Sequence, residues 1–159
     1  MNKAETITIV EINSIVPNER NRNDHPEDQI DAIIKIIEHS GFRSPLVVSN
    51  QSGLLVCGHG RLEAAKRLGM THVPVMFQDF ASPDIEYQHG VADNALAARA
   101  KLDLAGINQD LPEIGPFDLD LLGIKNFKVE APEFVPEVEE KEPEETKVIC
   151  PSCSHEFIP

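Results

Sequence analysis

Residues 54–69 constrain the fold most, because the sequence changes there from a strand pattern to a helix pattern across two glycines. Residues 54–57 form an apolar run, 58–60 contain both glycines, and 61–68 have a helical composition. The start of such a helix offers free backbone N–H groups and the positive end of the helix dipole. This turn suits a phosphate group, which Arg61 could bind with two N–H donors. The alternative is a tight structural turn with a solvated arginine, since a lone Gly-x-Gly is a weak signal.

The other elements predict an α+β fold, or a small mixed-sheet α/β fold, with helices flanking the sheet. The patterns indicate strands over 6–12, 46–48, 54–57 and 73–77. They indicate helices after Pro26, over 61–68, from Ser82 to about Leu104, and over 118–122. Strands and helices are mixed without strict alternation, so the elements leave both an α+β fold and a small mixed-sheet α/β fold open. In the first helix, the apolar positions have helical spacing and are interpreted as core: Ile30, Ile33, Ile34 and Ile37.

The chain is acidic, which limits its direct partners. Its 159 residues include 27 acidic and 14 basic side chains, a formal net charge of −13. A surface dominated by a basic nucleic-acid stripe is therefore excluded. No apolar run is long enough for a transmembrane helix, and the first residues lack an apolar signal core. The three cysteines do not suggest a disulfide framework, so we expect a cytoplasmic protein with no membrane contact.

Composition divides the chain into three parts. Residues 1–129 are expected to fold, 130–147 form a Glu- and Pro-rich linker predicted to be disordered, and 148–159 form a short tail. The tail contains Cys150 and Cys153 at the spacing of a zinc knuckle. Two thiolates fill half of a tetrahedral Zn²⁺ site, so two tails in a homodimer could complete one. The alternative is a reduced pair of thiols without metal.

Several short segments together resemble the ParB/sulfiredoxin-like domain, the N-terminal module of plasmid and chromosome partition proteins. Residues 41–48 are similar to its Gly-x-x-Gln-Pro-Leu-Val-Val segment, and 58–65 to its Gly-Glu-Arg-Arg-x-x-Ala box. Residues 92–94 resemble its Glu-Asn segment, and 21–22 stand at the place of its Pro-Arg. The stretch 117–123 resembles the variant found in phage proteins, which is often joined to DNA methyltransferases.

This resemblance implies a nucleotide site for CTP, or alternatively ATP, with Mg²⁺. Ser44 would lie near the base or ribose, and Asn94 would contact phosphate or metal. The full set of implied nucleotide-binding residues is Arg22, Ser44, Gly58, His59, Gly60, Arg61 and Asn94. On this reading, Arg61→Ala should remove nucleotide affinity without unfolding the domain.

Two residues of the box depart from the family pattern. His59 stands where the family has Glu, and Gly60 where it has Arg. Ala97 likewise replaces the arginine expected after Asn94. The lost carboxylate and cations leave slow nucleoside triphosphate hydrolysis open and make no catalytic residue assignable. His59 is either a base active near neutral pH or a solvated turn residue.

Two functions follow as hypotheses. The first is a ParB-like nucleotide-binding protein acting in phage or plasmid DNA transactions. The second is a non-catalytic interaction module that recruits a DNA methyltransferase or another DNA-processing partner. An acidic segment stands where partition proteins continue into a helix-turn-helix, so nucleic acid would be contacted only through a partner or an oligomer.

Two further activities are not expected. A nuclease would need a metal-binding carboxylate cluster, which the sequence does not suggest. Sulfiredoxin chemistry would need a reactive thiol after Gly58, where His59 stands. The neighbouring Cys57 is interpreted as a buried structural residue, although the nearby helix start and Arg61 could lower its pKa.

Overall fold

The computed structural model describes residues 6–114, 118–124, 127–128, 148–149 and 156–157. By its contacts the chain separates into two compact units, Met1–Val129 and Glu130–Pro159. In the second unit, Val148–Ile149 pairs antiparallel with Glu156–Phe157. The predicted linker, Cys150 and Cys153 lie outside the described residues. No helix in the described part of the chain is long and apolar enough to cross a membrane.

The first unit is built on a four-stranded mixed sheet. Its strands are β1 (Ile7–Glu11), β2 (Leu46–Ser49), β3 (Leu55–Cys57) and β4 (His72–Gln78). Their order across the sheet is β1-β4-β2-β3. The pairs β1/β4 and β2/β3 are antiparallel, whereas β2 and β4 are parallel. The fold is therefore the small mixed sheet with flanking helices that the sequence predicts.

Four helices accompany the sheet: α1 (Glu27–Ser40), α2 (His59–Arg67), α3 (Pro83–Ala97) and α4 (Leu104–Ile114). Helix α1 packs against α2. Short 3-10 helices follow β1 and occupy Leu119–Leu122. Of the four isoleucines assigned to the core in α1, Ile30 is fully buried and the other three are half-buried.

One aliphatic cluster joins α2 to the sheet. Its fully buried strand residues are Leu46, Leu55, Val73 and Val75, and α2 contributes Leu62 and Ala65. Removing a large aliphatic side chain from water stabilises a fold by about 1.5–3 kcal/mol. This cluster therefore fixes the start of α2 relative to the ends of β2 and β3.

The prediction of one helix from Ser82 to about Leu104 is wrong in its extent, because two separate helices occupy this part of the chain. Helix α3 ends at Ala97 and α4 begins at Leu104. Between them the Asp103 carboxylate accepts a hydrogen bond from Gly106 N–H at 3.0 Å, and its carbonyl accepts from Ile107 N–H at 3.0 Å. Asp103 thus caps a new helix instead of continuing the first one.

Helix α2 begins earlier than the sequence pattern predicts. Its first residue is His59, so Gly60 lies inside the first turn and is not part of a break before the helix. Gly58 precedes it with a φ of 102°, in the left-handed region. A Cβ at this position would lie 2.7 Å from Leu46 Cδ2. The positive φ therefore favours glycine, and a Cβ here would also force the buried Leu46 side chain to shift.

We expect Gly58→Ala to destabilise the first unit more than the control Gly53→Ala. Gly53 also has a positive φ, but no atom lies within 4 Å of a Cβ built there. Both variants incur about 1–2 kcal/mol for a left-handed alanine, and only Gly58→Ala adds roughly 1–3 kcal/mol from overpacking. Urea denaturation of both variants measures the difference, and equal losses would contradict the role given to Leu46.

Candidate nucleotide-binding cleft

Two adjoining pockets form a cleft between the start of α2, helix α3 and the loop 18–25. The larger has a volume of about 230 Å³ and the smaller about 120 Å³. They share three lining residues: Asn23, His59 and Asn94. The cleft is therefore continuous along the N-terminal end of α2.

Most of the residues predicted to bind nucleotide meet at this cleft. Those that line it are Arg22, Gly58, His59, Gly60, Arg61 and Asn94. Ser44 lines neither pocket, and its carbonyl is instead hydrogen-bonded by Arg61. The sequence motifs, which are far apart along the chain, thus converge on one surface.

The N-terminus of α2 supplies unused backbone donors. The first intrahelical bond runs from Leu62 N–H to the Gly58 carbonyl at 2.9 Å. No side chain caps this end of the helix. The N–H groups of the first three helical residues therefore have no intrahelical acceptor, and Gly58, His59, Gly60 and Arg61 line the smaller pocket. This arrangement can bind an anion.

Arg61 already has partners within the protein. Its Nη1 donates to the carbonyl oxygens of Ser44 at 2.6 Å and Pro45 at 3.1 Å. Burial lowers the pKa of its guanidinium, and nearby Cys57 and Asp93 partly offset that effect. The side chain stays charged, because arginine is not deprotonated in proteins. Arg61 therefore fastens the segment before β2 to the start of α2, with only part of its hydrogen-bonding capacity left for a ligand.

The thiol of Cys57 is unsuited to nucleophilic chemistry. Cys57 is buried at the end of β3. Burial, together with the charge and hydrogen bond of Asp93, raises its pKa to about 12. The thiol is therefore protonated near neutral pH, where nucleophilic attack needs the thiolate.

His59 is held in its neutral form. The backbone N–H of Asn18 donates to His59 Nε2 across 3.4 Å, which places the ring proton on Nδ1. Burial and the charge of nearby His25 lower the pKa of His59. At neutral pH His59 thus links the loop 18–25 to α2 as a hydrogen-bond acceptor.

Gly60 leaves space that His25 fills. A Cβ at position 60 would lie 3.1 Å from His25 Nδ1 and 3.2 Å from Ile33 Cδ1. His25 is fixed in turn by Gln29, whose Oε1 lies 3.0 Å from His25 Nδ1. A long side chain at position 60 would displace this ring, so the glycine here and the histidine of the loop fit each other.

Sequence reasoning missed two residues that line the larger pocket. Arg20 lies on the same loop as Arg22, and its N–H donates to Asn18 Oδ1 at 2.9 Å. Neither arginine forms an ion pair with any described residue, in contrast to Arg67, which pairs with Glu27 and Glu63. The asparagine-rich sequence 18–23 could have indicated a structured loop carrying both charges.

The second missed residue is Glu86, a buried carboxylate on α3. It accepts a hydrogen bond from Ser52 Oγ at 2.7 Å. This bond joins α3 to the β2–β3 turn and so fixes the far wall of the cleft.

Among the described residues no cluster of three or more His, Cys, Asp or Glu side chains could hold a metal ion by itself.

We expect Arg61→Ala to lower stability even without nucleotide. The variant leaves the carbonyls of Ser44 and Pro45 without their donor, which should cost about 1–2 kcal/mol. Arg43→Ala is the control, because Arg43 is exposed and bonds only a local carbonyl. Equal stability of Arg61→Ala and the wild type in chemical denaturation would show that these bonds contribute nothing.

We expect His59 to make the fold less stable in mild acid. Because its pKa is lowered in the folded state, the unfolded chain binds the additional proton. Its contribution is therefore complete above about pH 6.5, the unperturbed histidine value, and is lost as the pH falls below it. His59→Asn keeps an acceptor oxygen but does not titrate. Denaturation at pH 7.5 and 5.5 should show a smaller loss for the variant, and parallel losses would exclude His59 as the cause.

Comparison with known proteins assigns the chain to a family. The ParB N-terminal domain family matches residues 1–92. The chain is 29% identical over 65 residues to the ParB-like nuclease domain-containing protein YnaK of Escherichia coli K12, covering 41% of this chain and 74% of that protein.

Two solved structures share the fold. The C-terminally truncated chromosome-partitioning protein ParB from Caulobacter crescentus, complexed with CTP-γ-S, matches with a TM-score of 0.56 and 23% identity over 69% of this chain and 64% of that chain. A pNOB8-like ParB-N domain matches with a TM-score of 0.51 and 21% identity over 72% of this chain and 48% of that one. The chain thus spans less than two thirds of either structure. Since the family match covers more than half of its residues, the chain belongs to the ParB N-terminal domain family.

Proposed function

We propose that this chain binds a nucleoside triphosphate with Mg²⁺ in the cleft and acts through it in a ParB-like, DNA-related role. One observation carries the proposal: the uncapped N-terminus of α2 opens beside two arginines that have no ion pair within the described residues. The solved Caulobacter ParB with CTP-γ-S supports CTP as the first ligand to test.

The charges of the cleft suit a magnesium nucleotide. A fully ionised triphosphate bound to Mg²⁺ retains two negative charges, which Arg20 and Arg22 would balance. Asp93 and Asn94 line the smaller pocket and offer oxygen ligands of the kind that Mg²⁺ takes together with phosphate oxygens. The backbone donors of α2 complete the phosphate site.

The proposed activity is nucleotide binding, and any hydrolysis of the bound nucleotide is expected to be slow. Arg61 donates to two carbonyls, and His59 stands where the family pattern it resembles has a carboxylate. With a net charge of −13, the chain would reach DNA through a partner protein or an oligomer.

A second candidate is an interaction module that recruits a DNA methyltransferase or another DNA-processing partner. Large apolar residues exposed on α3 and α4 favour it: Ile85, Tyr87, Val91, Leu96, Leu104 and Ile114. On this alternative the cleft would bind no nucleotide, and the apolar helices would be the working surface.

Calorimetric titration of the full chain with CTP and then ATP, each with Mg²⁺, distinguishes the two. We expect a dissociation constant in the micromolar range, about −8 kcal/mol. Arg20→Gln and Arg22→Gln should each weaken binding roughly tenfold or more, the loss of one charge-assisted hydrogen bond of about 1.5–3 kcal/mol.

Lys66→Gln is the matched control, because Lys66 is an exposed cation of α2 that lines neither pocket. It should bind as the wild type does. Binding that is equally weakened by all three variants would indicate a general charge effect. The absence of binding to either nucleotide would reject the proposed function in favour of the interaction module.

A further inference from the structure

Among the strands that the structure describes, none pairs with the outer edge of β1. Strand β1 is the outermost strand, and it pairs on one side with β4 in regular antiparallel register. Directly after β1, Ile12 N–H donates to the Thr71 carbonyl at 2.9 Å. In an antiparallel pair, hydrogen-bonded and non-hydrogen-bonded residues alternate along the strand. Because Ile12 is hydrogen-bonded to the neighbouring strand segment, the even-numbered residues of β1 direct their N–H and C=O groups toward β4. The N–H and C=O groups of Ile7, Ile9 and Glu11 therefore point away from the sheet. The Glu11 carbonyl also accepts from Ser14 Oγ at 2.7 Å and has a second lone pair for a further donor.

The side chains at this edge are apolar and exposed. Ile9 is 64% exposed and Ile7 is 52% exposed. In the register they lie opposite Pro74 and Met76 of β4, which are half-buried, so the apolar strip continues onto the next strand. Natural edge strands usually carry a charged residue, often lysine, or a proline or a bulge that prevents further pairing. Of these, β1 has only Glu11, at its last position.

We propose that two copies of this chain pair through β1, antiparallel about a two-fold axis at Ile9, to form a continuous eight-stranded sheet. In this register the outward groups of Ile9 face those of Ile9 of the second copy, and Ile7 faces Glu11 of the second copy. Each backbone donor then meets an acceptor. This inference is independent of nucleotide binding.

The charges of the edge fit a second copy. Glu11 is the only charged residue of β1, and in the two-fold register the two Glu11 side chains lie at opposite ends of the paired strands. Each Glu11 is instead opposite His72 of its own β4. Like charges directly across a pair of strands destabilise it, and this register avoids that. Two copies of β1 can thus pair with matched hydrogen bonds, contact between apolar side chains and no like charges opposite each other.

The test exploits the direction of the Ile9 N–H. Because this group points away from β4, Ile9→Pro removes an outward donor without breaking a β1–β4 hydrogen bond, a position where edge strands accept proline. Sedimentation equilibrium of the full chain should give a dimer for the wild type. It should give at least a tenfold higher dissociation constant for Ile9→Pro, with an unchanged circular dichroism spectrum.

Two further comparisons keep the result decisive. Ile9→Lys should also dissociate the dimer, whereas Leu102→Lys, at a residue that is 65% exposed between α3 and α4, should not. All samples carry Cys150→Ser and Cys153→Ser, so that a metal or disulfide at the tail cannot join the copies. The proposal would be overturned if the chain with the wild-type β1 and the two Cys→Ser substitutions is a monomer. It would also be overturned if the dimer persists in both Ile9 variants.

Discussion

The cleft depends on the direct passage from β3 into α2 at Gly58. The left-handed backbone of this glycine turns the chain where Leu46 leaves no space for a side chain. A larger residue there would force the side chains of Leu46 and Arg61 to shift. Arg61 secures the same junction from the other side through the carbonyls of Ser44 and Pro45. The helix end that we propose as the anion site is thus held in place by packing and by hydrogen bonds within the protein.

The positive charge around this helix end comes largely from the loop 18–25. The box itself retains one arginine, whose guanidinium bonds the protein's own backbone. At Gly60, where the resemblance to the family box implies an arginine, the His25 ring occupies the space that a longer side chain would need. Arg20 and Arg22 face the cleft from the loop instead. The proposed phosphate site therefore depends on how the loop is folded. Hydrogen bonds from the Arg20 and Asn23 N–H groups to the side chains of Asn18 and Asn21 maintain that fold.

The sequence predicted the strands and helices that have a regular residue pattern. The spacing of isoleucines in α1 predicted that helix because it reflects burial on one face. Strand β1 was predicted from its β-branched residues, although most of its side chains are exposed. The break between α3 and α4 was not predicted, since the capping by Asp103 competes locally with a sequence that is otherwise compatible with helix. The motifs located most of the cleft, but neither the carbonyl partners of Arg61 nor the position of Arg20 follows from spacing. Both arise only when distant segments meet in the folded chain.

Burial of Cys57 also gives the first unit an internal reporter. Its thiol is enclosed, and its raised pKa keeps it protonated, so alkylating reagents have neither access nor a thiolate to attack while the strand is in place. Modification of this sulfur would require β3 to separate from α3, where Asp93 contacts it. The rate of its labelling therefore measures how often the wall of the cleft opens, and a ligand that bridges α2 and α3 would slow it.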